Sequence, residues 1–109
     1  MVFWSIKELR ITSLELVETV NGGYEYYNSK YSNNTVTISS SLPNKGSAVT
    51  YEVTIENTGT VDMTIASLST SSSDISGKVT VDGIKVEDII PYNNSKTFRI
   101  TLEKLLLVI

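Results

Sequence analysis

The sequence reads as all-β, a sandwich of about seven or eight short antiparallel strands in a single domain. Three observations predict it. Apolar and polar residues alternate with a period of two in run after run, the pattern of a half-buried strand. Ser, Thr and Asn are abundant and Ala is scarce, a bias toward strands and turns. Turn signals built on Asn, Asp, Gly and Pro separate the runs at regular spacing. A chain of 109 residues fits one domain, 1–109, with enough length to bury one core.

The elements follow in order. Leu9 and Ile11 share one register while Leu14 and Leu16 fall in the other. A β-bulge, or a strand that switches sheets, would explain the slip. A helix through Val2, Ile6 and Leu9 is the competing reading, weakened by Ile11, Thr12, Ser13 and Val17. Asn21-Gly22-Gly23 lies between two β-prone runs as a hairpin candidate. Asn28 to Asn34 is a polar loop. Val36, Ile38, Ser40 and Leu42 then alternate with Thr35, Thr37, Ser39 and Ser41, and Pro43 to Ala48 makes a turn.

The clearest strand holds Tyr51, Val53 and Ile55 on one face and Glu52, Thr54 and Glu56 on the other. Asn57-Thr58-Gly59-Thr60 makes a corner, with Asn capping the bend and Gly supplying a positive φ. Val61, Met63 and Ile65 resume the alternation. The corner can close a hairpin in one sheet or form an arch to a facing sheet. Asp82-Gly83 predicts a two-residue hairpin inside "GKVTVDGIKVED". After the loop "IIPYNNSK", Phe98, Ile100 and Leu102 form the last alternating strand. The end, "LEKLLLVI", either continues that strand through Leu105, Leu107 and Ile109 or runs into a linker. If exposed, it is an edge-pairing hazard. The expected core is Val36, Ile38, Tyr51, Val53, Ile55, Val61, Met63, Ile65, Phe98, Ile100 and Leu102.

Two stretches, "GSAVTYEVTIENTGTVDMTIASL" and "IPYNNSKTFRITL", resemble the immunoglobulin-like repeat domains of bacterial and archaeal cell-surface proteins, the cell-adhesion-related bacterial domains among them. A strand running into an Asn-Thr-Gly corner and a later loop leading into an alternating final strand carry the resemblance. It covers residues 35–102 best, and residues 1–34 can hold extra N-terminal strands. The resemblance implies an immunoglobulin-like β-sandwich that serves as a spacer or adhesion module of a larger exported protein, at the cell surface, beside neighbouring domains of the same protein. It implies no catalytic residues.

Composition narrows the chemistry. The net charge is −3 and the basic residues are scattered among acids. That disfavours nucleic acid, which calls for clustered Lys and Arg, and an anionic membrane surface. With no cysteine and no histidine, thiol nucleophiles, Ser-His-Asp triads and Cys/His zinc sites are excluded. The apolar start is broken at once by Lys7, Glu8 and Arg10, unlike a signal peptide. No apolar run reaches the length of a membrane-spanning helix.

The candidate binding residues are Tyr24, Tyr26, Tyr27, Tyr31 and Asn34. Flat aromatic faces beside amides suit sugar rings and their hydroxyls, so a glycan or a matrix protein is the candidate ligand. The plainer role for these rings is packing over a sheet edge. Asp62, Asp74, Asp82, Glu87 and Asp88 form no calcium-loop pattern. No carboxylate pair is marked for hydrolysis. A Lys7 isopeptide to Asn93 or Asn94 is conceivable, but turn chemistry accounts for both asparagines. Asn33 and Asn93 head sequon triplets of a kind that chance supplies in so Asn/Ser/Thr-rich a chain. The expectation is a non-catalytic module with no cofactor and no metal, capable of weak self-association through edge strands.

Overall fold

The computed structural model describes residues 9–71 and 77–104. The helix alternative, Lys7, Asp74 and the 105–109 tail lie outside the described residues, except that Leu9 begins a strand. The described chain is all-β, without a helix.

Four strands form one antiparallel sheet. They are β1 (Leu9–Val20), β6 (Ala48–Asn57), β8 (Gly77–Asp82) and β10 (Ser95–Lys104), in the order β1-β6-β10-β8. Six further strands are two residues long and pair as ribbons. These are β2 (Tyr24–Glu25) with β5 (Ser40–Ser41), β3 (Lys30–Tyr31) with β4 (Val36–Thr37), and β7 (Met63–Thr64) with β9 (Ile89–Ile90).

The register slip in the first strand is a bulge. Ile11 pairs with Ile55 and Ser13 with Thr54, so Thr12 is the extra residue. The insertion returns Leu14 and Leu16 to the face of Leu9 and Ile11, opposite Val53 and Tyr51. A second shift, between Leu16 and Glu18, leaves Val17 as another extra residue.

One face of the sheet is apolar. Val49, Tyr51 and Val53 of β6 are fully buried and lie opposite Leu102, Ile100 and Phe98 of β10. Ile65, Ile84 and Ile90 complete a core cluster with Ile11, Val53 and Phe98. Each such buried side chain contributes about 1.5–3 kcal/mol. The other face carries Glu52, Thr54, Thr97, Arg99 and Thr101, joined by Thr50–Thr101 and Thr54–Thr97 hydroxyl contacts and an Arg99–Glu52 pair at 3.4 Å.

Three expectations change. Val61 is exposed, because it sits in the corner rather than on the following strand. Asp82-Gly83 closes no hairpin. The Asp88 carboxylate accepts the Lys85 N–H at 2.9 Å and ties 85–88 into a turn, and Ile89–Ile90 then pairs with β7 instead of β8. Asn21-Gly22 does turn, with φ of 49° and 81° and a Gly23 N–H to Val20 carbonyl bond. The chain then leaves β1 to pair with β5. Gly23 passes so close to β6 that a Cβ there would lie 2.5 Å from the Ala48 carbonyl oxygen.

The Asn57 corner is an arch, since β7 pairs with β9 and not with β6. Asn57 is buried and makes five hydrogen bonds. Its N–H donates to Asn94 and its carbonyl accepts from Asn93. Its Nδ2 donates to the Val61 and Ile90 carbonyls, and its Oδ1 accepts the Gly59 N–H. Gly59 is not among the positive-φ glycines. The Asn57 cap expected from the sequence makes the bend, without the positive φ expected at Gly59.

Candidate functional site

The tyrosine-rich segment lies on the ribbon layer. Tyr24 opens β2 opposite Ser41, and the Tyr26 N–H donates to the Ser39 carbonyl at 2.9 Å. Tyr31 ends β3 opposite Val36, and its hydroxyl donates to the carbonyl of Thr12, the bulge residue, at 2.9 Å. Asn34 sits in the turn that follows, where its Oδ1 accepts the Thr35 hydroxyl.

All four rings are exposed: Tyr24 by 50%, Tyr26 by 59%, Tyr27 by 67% and Tyr31 by 46%. They are therefore not core packing. Tyr26 and Tyr27 stand edge to face with centroids 4.5 Å apart. Among the described residues that is the one aromatic pair; Tyr24 and Tyr31 make no ring contact with it. Asn34 is exposed too.

What fixes this segment is a polar network beneath it. Tyr51 projects from the middle of β6 and is 1% exposed. Its hydroxyl donates to Glu25 Oε1 at 2.7 Å and accepts from the Ser29 hydroxyl at 3.1 Å. Ser29 also takes the Ser39 N–H on its Oγ and gives its own N–H to Glu25. Burial, with the Glu25 carboxylate beside it, pushes the Tyr51 phenol up to about 12. The same hydrogen bond from Tyr51, then that from Ser29, holds Glu25 below the usual carboxylate range. The loop carrying Tyr26 and Tyr27 is thus clamped at both ends, at Glu25 and at Ser29.

Sequence reasoning singled out the rings and missed the clamp. Two signals could have found it. A tyrosine in a core register needs a partner for its hydroxyl, and Glu25 is the one acid inside the tyrosine cluster.

The other candidates resolve into structure. Asp62 accepts the Tyr92 N–H, and Asp88 holds its own turn and lies 3.9 Å from Lys96. No cluster of three or more acidic side chains able to hold a metal ion occurs among the described residues. Asn93 and Asn94 bracket the Asn57 arch through their backbones. Comparison with known proteins returns no matching family model, no matching curated protein and no matching solved structure.

Proposed function

We propose that this chain is a non-catalytic immunoglobulin-like β-sandwich module that holds neighbouring domains of an exported cell-surface protein apart. One observation carries the proposal. The described chain comes in at one end of the sheet and goes out at the other. Leu9 pairs with Asn57 at one end of β6, and Glu103 pairs with Ala48 at the opposite end. Backbone bonds between Lys104 and both Gly46 and Ser47 fix the outgoing end. The length of β6, from Ala48 to Asn57, separates the two points by about 30 Å.

Tension along the chain therefore acts on β1 and β10 in opposite directions, with β6 between them. Both ladders are loaded in shear, so many hydrogen bonds share the force at once. A force ramp applied through the two chain ends tests the proposal. A cooperative rupture is expected; smooth extension at the forces that stretch an unfolded chain would exclude a load-bearing role.

A second reading has its own observation. The exposure of Tyr24, Tyr26, Tyr27 and Tyr31 on a clamped loop supports a contact surface, with Asn34 nearby, for a glycan or matrix protein. Retention on insoluble glycans, cell walls and matrix proteins, lost in a Tyr24, Tyr26, Tyr27→Ala triple variant, would establish it. No retention of the folded native chain on any of them would remove it.

A further inference from the structure

We infer that two copies of this chain associate through the outer edge of β8, joining their four-stranded sheets into one continuous antiparallel sheet. The sheet has two edges, and they are built differently. The β1 edge is blunted. It carries bulges at Thr12 and Val17 and the like charges Glu15 and Glu18, and the Ile11 N–H and Thr12 carbonyl are taken by Asn33 and Tyr31. The β8 edge has no bulge, and its two charges, Lys78 and Asp82, are of opposite sign. Its six residues run in unbroken register with β10, without proline, and nothing among the described residues pairs with its other side.

The sequence of β8, Gly77-Lys78-Val79-Thr80-Val81-Asp82, is complementary to itself. In an antiparallel register centred on Thr80, Lys78 faces Asp82 of the second copy, twice over. Val79 faces Val81, also twice. Lys78 and Asp82 are exposed, and neither has an ion-pair partner among the described residues. Across β10 they lie opposite Glu103 and Arg99. The polar face of the joined sheet would read Glu52, Arg99, Asp82, then Lys78 and Glu103 of the copy, with the sign alternating at every step.

On the opposite face Val79 and Val81 are half-buried. Beside Val79 a groove of about 490 Å³ opens between Leu102 and the stretch holding Val36, Ile38 and Leu42. Val81 of the copy would stand at its rim, beside a lining in which Val36, Ile38, Leu42 and Leu102 alternate with serines and threonines. Two-fold pairing through an antiparallel strand makes the two modules run in opposite directions. On the spacer reading, that suits modules reaching toward each other from two opposed surfaces; the association itself does not depend on that reading.

Sedimentation of the intact chain from micromolar to millimolar concentration tests the inference. A monomer–dimer equilibrium is expected for the native chain. Lys78→Asp alone sets acid against acid, and Asp82→Lys alone sets base against base. Each single variant should weaken the dimer about tenfold or more, since facing like charges replace facing opposite ones at two positions. The double swap should restore it. An equimolar mixture of the two single variants should form heterodimers in native mass spectrometry, a readout that a folding defect in either variant could not produce. A native chain that stays monomeric to millimolar concentration would overturn the inference, as would single variants that dimerise as well as the native chain.

Discussion

The four-stranded sheet and the ribbons over it are held by different means. In the sheet, strands of six to twelve residues share long ladders, and β6 is paired with β1 along its whole length and with β10 from Ala48 to Glu56. The ribbons have two residues to a strand. Their places are set by side chains: Asn57 under the arch, Asp88 in the turn before β9, and Glu25, Ser29 and Tyr51 beneath the tyrosine loop. Stability in the first layer should therefore follow apolar volume. In the second it should follow single polar atoms.

The largest effect should come from the sheet. Phe98, opposite Val53 on β10, is buried at the centre of the core cluster. Phe98→Ala should cost about 3–5 kcal/mol, read by chemical denaturation. A cost below ~1 kcal/mol would mean the core lies elsewhere.

Asn57 should come next. Asn57→Ala strands the Val61 and Ile90 carbonyls and the Gly59 N–H, and should cost about 2–4 kcal/mol. Asn57→Asp keeps the Gly59 bond but sets a carboxylate against two carbonyls. It should be at least as damaging at neutral pH and recover in part on acidification, as the protonated acid regains a donor. Insensitivity of this variant to pH would show that the Nδ2 bonds do not hold the arch.

These two positions also show what was legible in the sequence. Phe98, Val53 and Tyr51 stand in strict alternation, and a period of two states which face is buried. The slip between Ile11 and Leu14 marked an irregularity in the same way, a bulge or a change of sheet, and the pairing with β6 shows it to be a bulge. The ribbon layer has no such period. Ile84 and Ile90 join the core from a turn and a two-residue strand, so nothing in their spacing marks them. Asp82-Gly83 carries a strong local hairpin signal, yet Asp88 captures the Lys85 N–H and redirects the segment. The exposed tyrosines were found by composition, whereas their clamp depends on Tyr51, distant in sequence.

A smaller effect should come from Tyr51→Phe, which keeps the ring and removes the hydroxyl. The loss should be about 1 kcal/mol near neutral pH. Titration sharpens it at both ends. Free tyrosine ionises near ~10, while folded Tyr51 holds its proton to about 12. The native state binds the extra proton in that window, so native stability should fall as pH rises through it. Glu25, held below the usual carboxylate range by Tyr51 and Ser29, contributes stability at neutral pH that should be lost as pH drops through its folded value. Tyr51→Phe should flatten both slopes. Unchanged alkaline and acid slopes in the variant would show that the clamp does not exist in solution.

The smallest effect should come from the exposed rings. Tyr27→Ala, at the most exposed of them, should move stability by no more than ~0.5 kcal/mol. A larger loss would place that ring in the packing and not on a contact surface.

The proposed spacer role is tested most directly by pulling the same protein in two directions. Through its two chain ends, force shears the β1–β6 and β6–β10 ladders. Through cysteines placed at Arg10 and Thr60, which lie at one end of β6, force peels β1 from β6 bond by bond; the chain has no cysteine of its own to interfere. The account predicts a clearly higher rupture force for the end-to-end pull, because the ladder bonds, which run across the strands, must fail together rather than in turn. Equal forces in the two directions would contradict it.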